Sequence, residues 1–107
     1  MVKVIRERDI EKYLVQQAKK RGCEVRKVQW VGRRGAPDRV VFGTQDGIAN
    51  EEGVVVVTSI NRATWVELKA PGEKPTTIQK REHARLRAFG ELVRVIDSYK
   101  GVDALFK

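Results

Sequence analysis

Ile10, Leu14 and Ala18 recur at helical spacing, with Tyr13 and Gln17 alongside and charged residues between, so the pattern predicts an amphipathic helix over 9–21. Asp9 can cap its start, and the basic turn of Lys19, Lys20 and Arg21 followed by Gly22 suits its end. Residues 24–31 then read as a strand, and Gly32-Arg33-Arg34-Gly35-Ala36-Pro37 interrupts it as a glycine-rich loop. Arg39-Val40-Val41-Phe42 is a short second strand. The stretch 44–53, with Asp46-Gly47 and two acidic residues, reads as an exposed loop. The β-branched run 54–60 predicts a buried strand, which Asn61-Arg62 can turn into a further strand over 64–69. Pro71, Gly72 and Pro75 mark a loop. After it, Thr76 or Thr77 caps a second helix to Phe89, with Ile78, Leu86 and Phe89 as core contacts and Gly90 as terminator. Residues 92–96 form the last strand and 98–106 a short closing helix. The order α-β-β-β-β-α-β-α predicts one α/β domain over 1–107, a mixed central sheet flanked by helices.

Composition narrows the class. At 107 residues the chain supports one core, and 41% hydrophobic with 34% charged residues is globular composition. No apolar run approaches the roughly 20 residues that span a bilayer, and charges break the N-terminal stretch where a signal peptide would be apolar. A lone cysteine, Cys23, excludes a disulfide framework and a multi-cysteine zinc site, and its best reading is a small buried residue. These features predict a cytoplasmic protein with no membrane association and no small-molecule cofactor. The balance of 22 Lys+Arg against 14 Asp+Glu leaves a net charge of +8, which points to an anionic partner and first to nucleic acid. Charge alone does not distinguish a protein that holds nucleic acid from one that cuts it.

The sharpest candidate chemistry lies in Ala36-Pro37-Asp38 and Glu67-Leu68-Lys69. Strand alternation sets Glu67 and Lys69 on one face, about 6–7 Å apart, and Leu68 on the other. Pro37 lacks an N–H donor and suits a strand entrance from which Asp38 projects. If the two strands are neighbours, Asp38 and Glu67 converge beside Lys69. Two facing carboxylates repel, and a divalent cation relieves the repulsion; hard oxygen ligands favour Mg²⁺, with Mn²⁺ as substitute. Taken singly, each segment is ordinary, since Asp after Pro serves turns and a Glu-x-Lys face is commonly solvated. Their joint occurrence in a basic domain favours the metal.

Other residues carry weaker signals. Arg33, Arg34 and Arg39 flank Asp38, and Lys74, Lys80, Arg81 and Arg85, with Lys69 and Arg87, outnumber Glu73 and Glu82. Phosphate contact and simple solubilisation of a helix face are the two readings, and the local imbalance favours phosphates. No base-reading motif is present, so recognition of shape and backbone is expected. His83 is the only histidine; among charged residues it reads as solvated or phosphate-touching. Trp30 and Trp65 are candidates for core, interface or base stacking.

Pro37-Asp38 followed by Glu67-Leu68-Lys69 resembles the PD-(D/E)xK nuclease signature. Glu11, Gly32 to Arg39, Val66 to Gly72, and Gln79 with Arg81-Glu82-His83 narrow the resemblance to the virus-type replication-repair nuclease (VRR-NUC) domain, over nearly the whole chain. The spacer between Asp38 and Glu67 is longer than in the shortest members. The resemblance implies a restriction-endonuclease-like core, with Asp38, Glu67 and the Leu68 backbone carbonyl as metal ligands and Glu11 a ligand directly or through water. Lys69 would orient or deprotonate the attacking water and stabilise developing charge, and Gln79 would position that water or steady Lys69. The implied activity is metal-dependent cleavage of DNA backbones in a bacterial or phage-infected cell. Stand-alone domains of this type look like homodimeric resolvases of four-way (Holliday) junctions. The alternatives are a monomeric flap or single-strand-end nuclease and a non-catalytic basic nucleic-acid-binding protein.

Overall fold

The computed structural model of the chain describes residues 4–43, 48–49, 55–56 and 62–106. Its elements are α1 (Glu7–Lys20), β1 (Glu24–Lys27), β2 (Arg39–Phe42), β3 (Ile48–Ala49), β4 (Val55–Val56), β5 (Thr64–Leu68), α2 (Thr77–Ala88), β6 (Leu92–Ile96) and α3 (Tyr99–Leu105). Helix α1 begins two residues before the predicted Asp9 cap. Arg6 is the cap, and Asp9 sits inside the first turn, its carboxylate accepting from the Arg6 N–H at 2.9 Å. Glu7 and Asp9 are thereby placed at the positive end of the helix, where negative charge is stabilising. Gly22, at φ 72°, ends the helix, and the Cys23 N–H returns to the Ala18 carbonyl at 2.9 Å.

The central sheet has the order β1-β2-β5-β6, antiparallel except for the parallel β5–β6 pair, so it is mixed as predicted. Two strand predictions change. The strand expected over 24–31 ends at Lys27, although the Val28 N–H still reaches the Asp38 carbonyl at 2.9 Å. The expected loop over 44–53 contains β3, which pairs with β4 in a separate two-stranded sheet. Thus the β-branched segment does not enter the central sheet through its described residues, and five strands precede α2 where four were expected. The rest of 44–53, the rest of the 54–60 strand and Asn61 lie outside the described residues.

One face of the sheet carries the apolar core. Ile10, Leu14 and Ala18 of α1 bury against Val41, Val66 and Leu68, and α3 closes the layer through Val102. The Tyr13 hydroxyl donates to Asp103 at 2.7 Å, tying α1 to α3. Cys23 belongs to this core, as expected. The opposite face is different in kind. Ile78, Leu86 and Phe89 were expected to bury α2, yet Ile78 and Phe89 are exposed and Leu86 is only partly covered. The side chains that α2 buries are Glu82 and His83. The reason is the target: α2 lies over β5 at Glu67, and a buried carboxyl needs polar partners, not leucine. Among the described residues no helix is long and apolar enough to cross a membrane.

Burial this asymmetric makes opposite expectations for two large apolar side chains. Leu14→Ala should cost about 2–5 kcal/mol, read as a lower urea midpoint, because it empties a fully buried site. Phe89→Ala, at a side chain 86% exposed, should leave the midpoint nearly unchanged.

Candidate active site

Pairing between β2 and β5 sets Arg39 opposite Val66, and one step further along the same register brings Asp38 opposite Glu67. Pro37 is fully buried and has no N–H to leave unpaired at this strand entrance. Asp38 is then pinned from both sides. Its carbonyl accepts from Val28, and its Oδ2 accepts from the Leu68 N–H at 2.8 Å. Glu67 points to the other face from Val66 and Leu68 and is only 1% exposed. Helix α2 supplies its partners: Gln79 Nε2 donates to Oε2 at 3.3 Å, and His83 Nε2 lies 3.3 Å from Oε1.

Gln79 reaches this position because it belongs to the cap of α2. Its Oε1 accepts from the Thr76 N–H at 2.9 Å while the Thr76 hydroxyl accepts from the Gln79 N–H at 3.2 Å. The amide oxygen is thus committed to the helix start and the amide nitrogen to Glu67. The expected roles of Gln79 were to position the water or steady Lys69; the contacts its side chain makes here are with Thr76 and Glu67. His83 departs further from expectation: it is 2% exposed and touches Glu67, where a solvated or phosphate-touching residue was predicted. The signal for it was present in the sequence, since Gln79 and His83 are four residues apart and share one helix face.

The electrostatics follow from this packing. Burial pushes the Glu67 carboxyl up to about 8, the hydrogen bond and charge of Asp38 push the same way, Lys69 opposes, and Glu7 adds a further upward push. His83 is held below the ordinary histidine value of 6.5, first by burial and then by Arg87 and Lys69, with Asp38 opposing. A neutral imidazole can donate to a Glu67 carboxylate or accept from its protonated form.

Beside Asp38 lies a cleft of about 280 Å³ lined by Glu7, Arg8, Glu11, Asp38, Arg39 and Leu68. Glu11 does face it, but as the ion-pair partner of Arg39. The other arm of that guanidinium donates to the Asp38 carbonyl at 2.8 Å. Glu7, a first-turn residue of α1, lines the same cleft. Among the described residues no three His, Cys, Asp or Glu side chains gather in a metal-holding group. Asp38 and Glu67 are oxygen donors of the kind that suits a hard divalent cation, and the cleft beside Asp38 has room for such an ion's water shell.

The glycine-rich loop docks against α2 at Gly35, whose φ is 92° and where a Cβ would stand 2.8 Å from Glu82 Cγ and 3.0 Å from the Ile78 carbonyl. Arg33 completes the dock with two bonds to Glu82, Nε to Oε2 at 2.9 Å and Nη2 to Oε1 at 2.5 Å. Two of the predicted phosphate-binding arginines, Arg33 and Arg39, are thus held by carboxylates of the chain: Glu82 is covered and takes Arg33, while Arg39, itself largely covered, takes Glu11. Arg34, Lys74, Lys80, Arg81 and Arg85 are exposed around the site, and Lys69 stands partly covered beside Glu67.

The chain is 45% identical over 97 residues to "Putative nuclease p44" of Acyrthosiphon pisum secondary endosymbiont phage 1, which covers 91% of this chain and 88% of that protein. A solved structure described as a VRR_NUC domain matches with a TM-score of 0.68 at 35% identity, covering 92% of this chain and 91% of its own. No protein-family model matches the sequence. Fold and likeness together define a phosphodiester-hydrolysing nuclease on a mixed sheet with flanking helices, the restriction-endonuclease-like architecture expected from the sequence. The chain belongs to the VRR-NUC nuclease family.

The Glu67 environment makes stability depend on pH with a definite sign. A carboxyl at 4.5 when unfolded and about 8 when folded favours the fold in its neutral form. That contribution is complete below 4.5 and is lost as pH rises to about 8. In chelator, the urea midpoint should decline across this window, and Glu67→Gln should flatten the decline.

Proposed function

We propose that this nuclease is a divalent-cation-dependent, structure-selective DNA endonuclease that works as a homodimer on four-way junctions. The observation that carries the reading is the Asp38–Glu67 pair: two carboxyls kept together by backbone and helix contacts although their charges oppose one another. Mg²⁺, with Mn²⁺ as substitute, suits two carboxylates and the Leu68 carbonyl completed by water. Asp38 and Glu67 would hold the cation, which would supply charge neutralisation and polarisation of the scissile phosphate.

The rest is the work of the chain. Asp38 and Glu67 hold the cation, and Gln79 and His83 keep Glu67 oriented. Glu11, now paired with Arg39, would be a further ligand, directly or through water. Lys69, whose charge already acts on Glu67, orients the attacking water and stabilises negative charge on the phosphoryl oxygens as a P–O bond breaks in line. Exposed Arg34, Lys74, Lys80, Arg81 and Arg85 hold backbone phosphates, with Arg33 and Arg39 shaping the loop between them. Two such sites related by a twofold axis match the paired strands of a symmetric junction. The phage origin of the 45% identical relative supports action in the cytoplasm of an infected host cell.

Separate Asp38→Asn, Glu67→Gln and Lys69→Ala variants should each lower junction cleavage by about 100-fold or more, and chelator should abolish it. Cleavage at full rate by Asp38→Asn, or in chelator, would sink the cation-dependent mechanism. Four-way junctions, flaps and plain duplex should be compared with solution mass measured alongside; a monomer that prefers flaps removes the resolvase reading. His83→Ala should raise the cation concentration for half-maximal cleavage about 10- to 100-fold, and His83→Gln should recover part of that loss. An unchanged cation requirement would limit His83 to a packing role.

A further inference from the structure

Beyond the active site, α2 and the glycine-rich loop enclose a second concavity. It is a groove of about 350 Å³ lined by Trp30, Arg33, Glu82, Arg85, Leu86 and Phe89. We propose that this groove seats one unpaired nucleotide of the bound DNA strand, its base against Trp30 and Phe89 and its phosphate at Arg85. The proposal rests on the reading of DNA as the substrate and adds to it the form of DNA that is recognised.

Three observations carry it. First, the aromatic wall is fixed in advance. Trp30 meets Trp65 edge-on with ring centroids 6.3 Å apart at 71°, and the Trp65 indole N–H donates to Glu91 at 2.9 Å. A wall already ordered loses little entropy when a base stacks on it. Facing it, Phe89 is largely exposed although it is the bulkiest apolar side chain near the end of α2.

Second, the groove has the charge of a phosphate site. Its single carboxylate, Glu82, is already taken by Arg33 and lies 3.7 Å from Arg85. Arg85 remains 68% exposed at the side chain, and half of Arg33 remains exposed. A second copy of the chain docking here about a twofold axis would bring these arginines towards their own counterparts, an arrangement that like charges oppose. A polyanion satisfies them.

Third, the groove lies further along the helix that reaches Glu67. Gln79 and His83 meet Glu67, while Glu82, Leu86 and Phe89 lie progressively further along the same helix. At 1.5 Å per residue, Gln79 and Phe89 are about 15 Å apart along the axis, a span of a few nucleotides. A paired base shows only its edges, whereas aromatic walls grip the face of a base that has left the stack. Branch points, tails and flaps supply such bases.

The test is binding, measured by fluorescence anisotropy in chelator so that cleavage plays no part. The probes are a duplex with a short single-stranded tail and a blunt duplex of the same length. Phe89→Ala should weaken binding of the tailed duplex roughly tenfold and that of the blunt duplex less than twofold, and Phe89→Tyr should restore it. Arg85→Ala should weaken tailed-duplex binding and make it less sensitive to salt. Equal binding of the tailed duplex by wild type and Phe89→Ala overturns the proposal, as does an equal loss on both probes. A fall in solution mass on Phe89→Ala with tail binding retained also overturns it, and assigns the groove to contact between copies. Because no cation is present, failure of the cleavage mechanism leaves these outcomes readable on their own.

Discussion

A buried carboxyl set beside a second, partly exposed one is the constraint around which the rest of the molecule is arranged. Glu67 loses its hydration on the central strand and faces Asp38, so its charge is opposed by both solvent loss and its neighbour. The surroundings answer that cost with directed polar contacts. Asp38 is fixed by two backbone bonds, Glu67 by an amide and an imidazole, and the helix that brings those groups gives up the apolar face it would otherwise bury. The sheet is accordingly two-sided in character. Its α1 face is a conventional hydrocarbon core, and its α2 face is a polar device resting on that core.

Arginine has a corresponding double use. In a chain of net charge +8 it is natural to assign every arginine near the site to DNA. Arg39 instead bridges the start of β2 to Glu11 of α1, and Arg33 bridges the glycine-rich loop to Glu82 of α2. These pairs tie both flanking helices to the segment that bears Asp38. In the proposed function the positive field for phosphates falls to the more exposed side chains, Arg85 among them although it also lies near Glu82.

The sequence was most legible where period and punctuation agreed. Helix α1, β2, β6 and α3 follow their hydrophobic spacing and end within two residues of expectation, and the class of sheet follows from their order. Asp38 and Glu67 could be paired because strand register is simple arithmetic once β2 and β5 are neighbours. What was not legible depended on partners distant in sequence. Ile78 and Phe89 looked like core because nothing local says that the sheet beneath α2 presents a carboxyl. His83 looked solvated for the same reason, and Arg33 looked free because Glu82 lies far along the chain.

A glutamine amide is nearly symmetric in shape and opposite in chemistry at its two ends, so a site built on one faces a choice of handedness. Here Thr76 makes that choice. Its backbone N–H takes the Gln79 oxygen and so leaves the nitrogen for Glu67. The first turn of α2 and the polarity of the active centre are therefore written by the same bonds. Reversing the amide would cost the helix its start as well as setting an oxygen against a carboxylate. An exposed threonine thus fixes which end of the Gln79 amide meets Glu67.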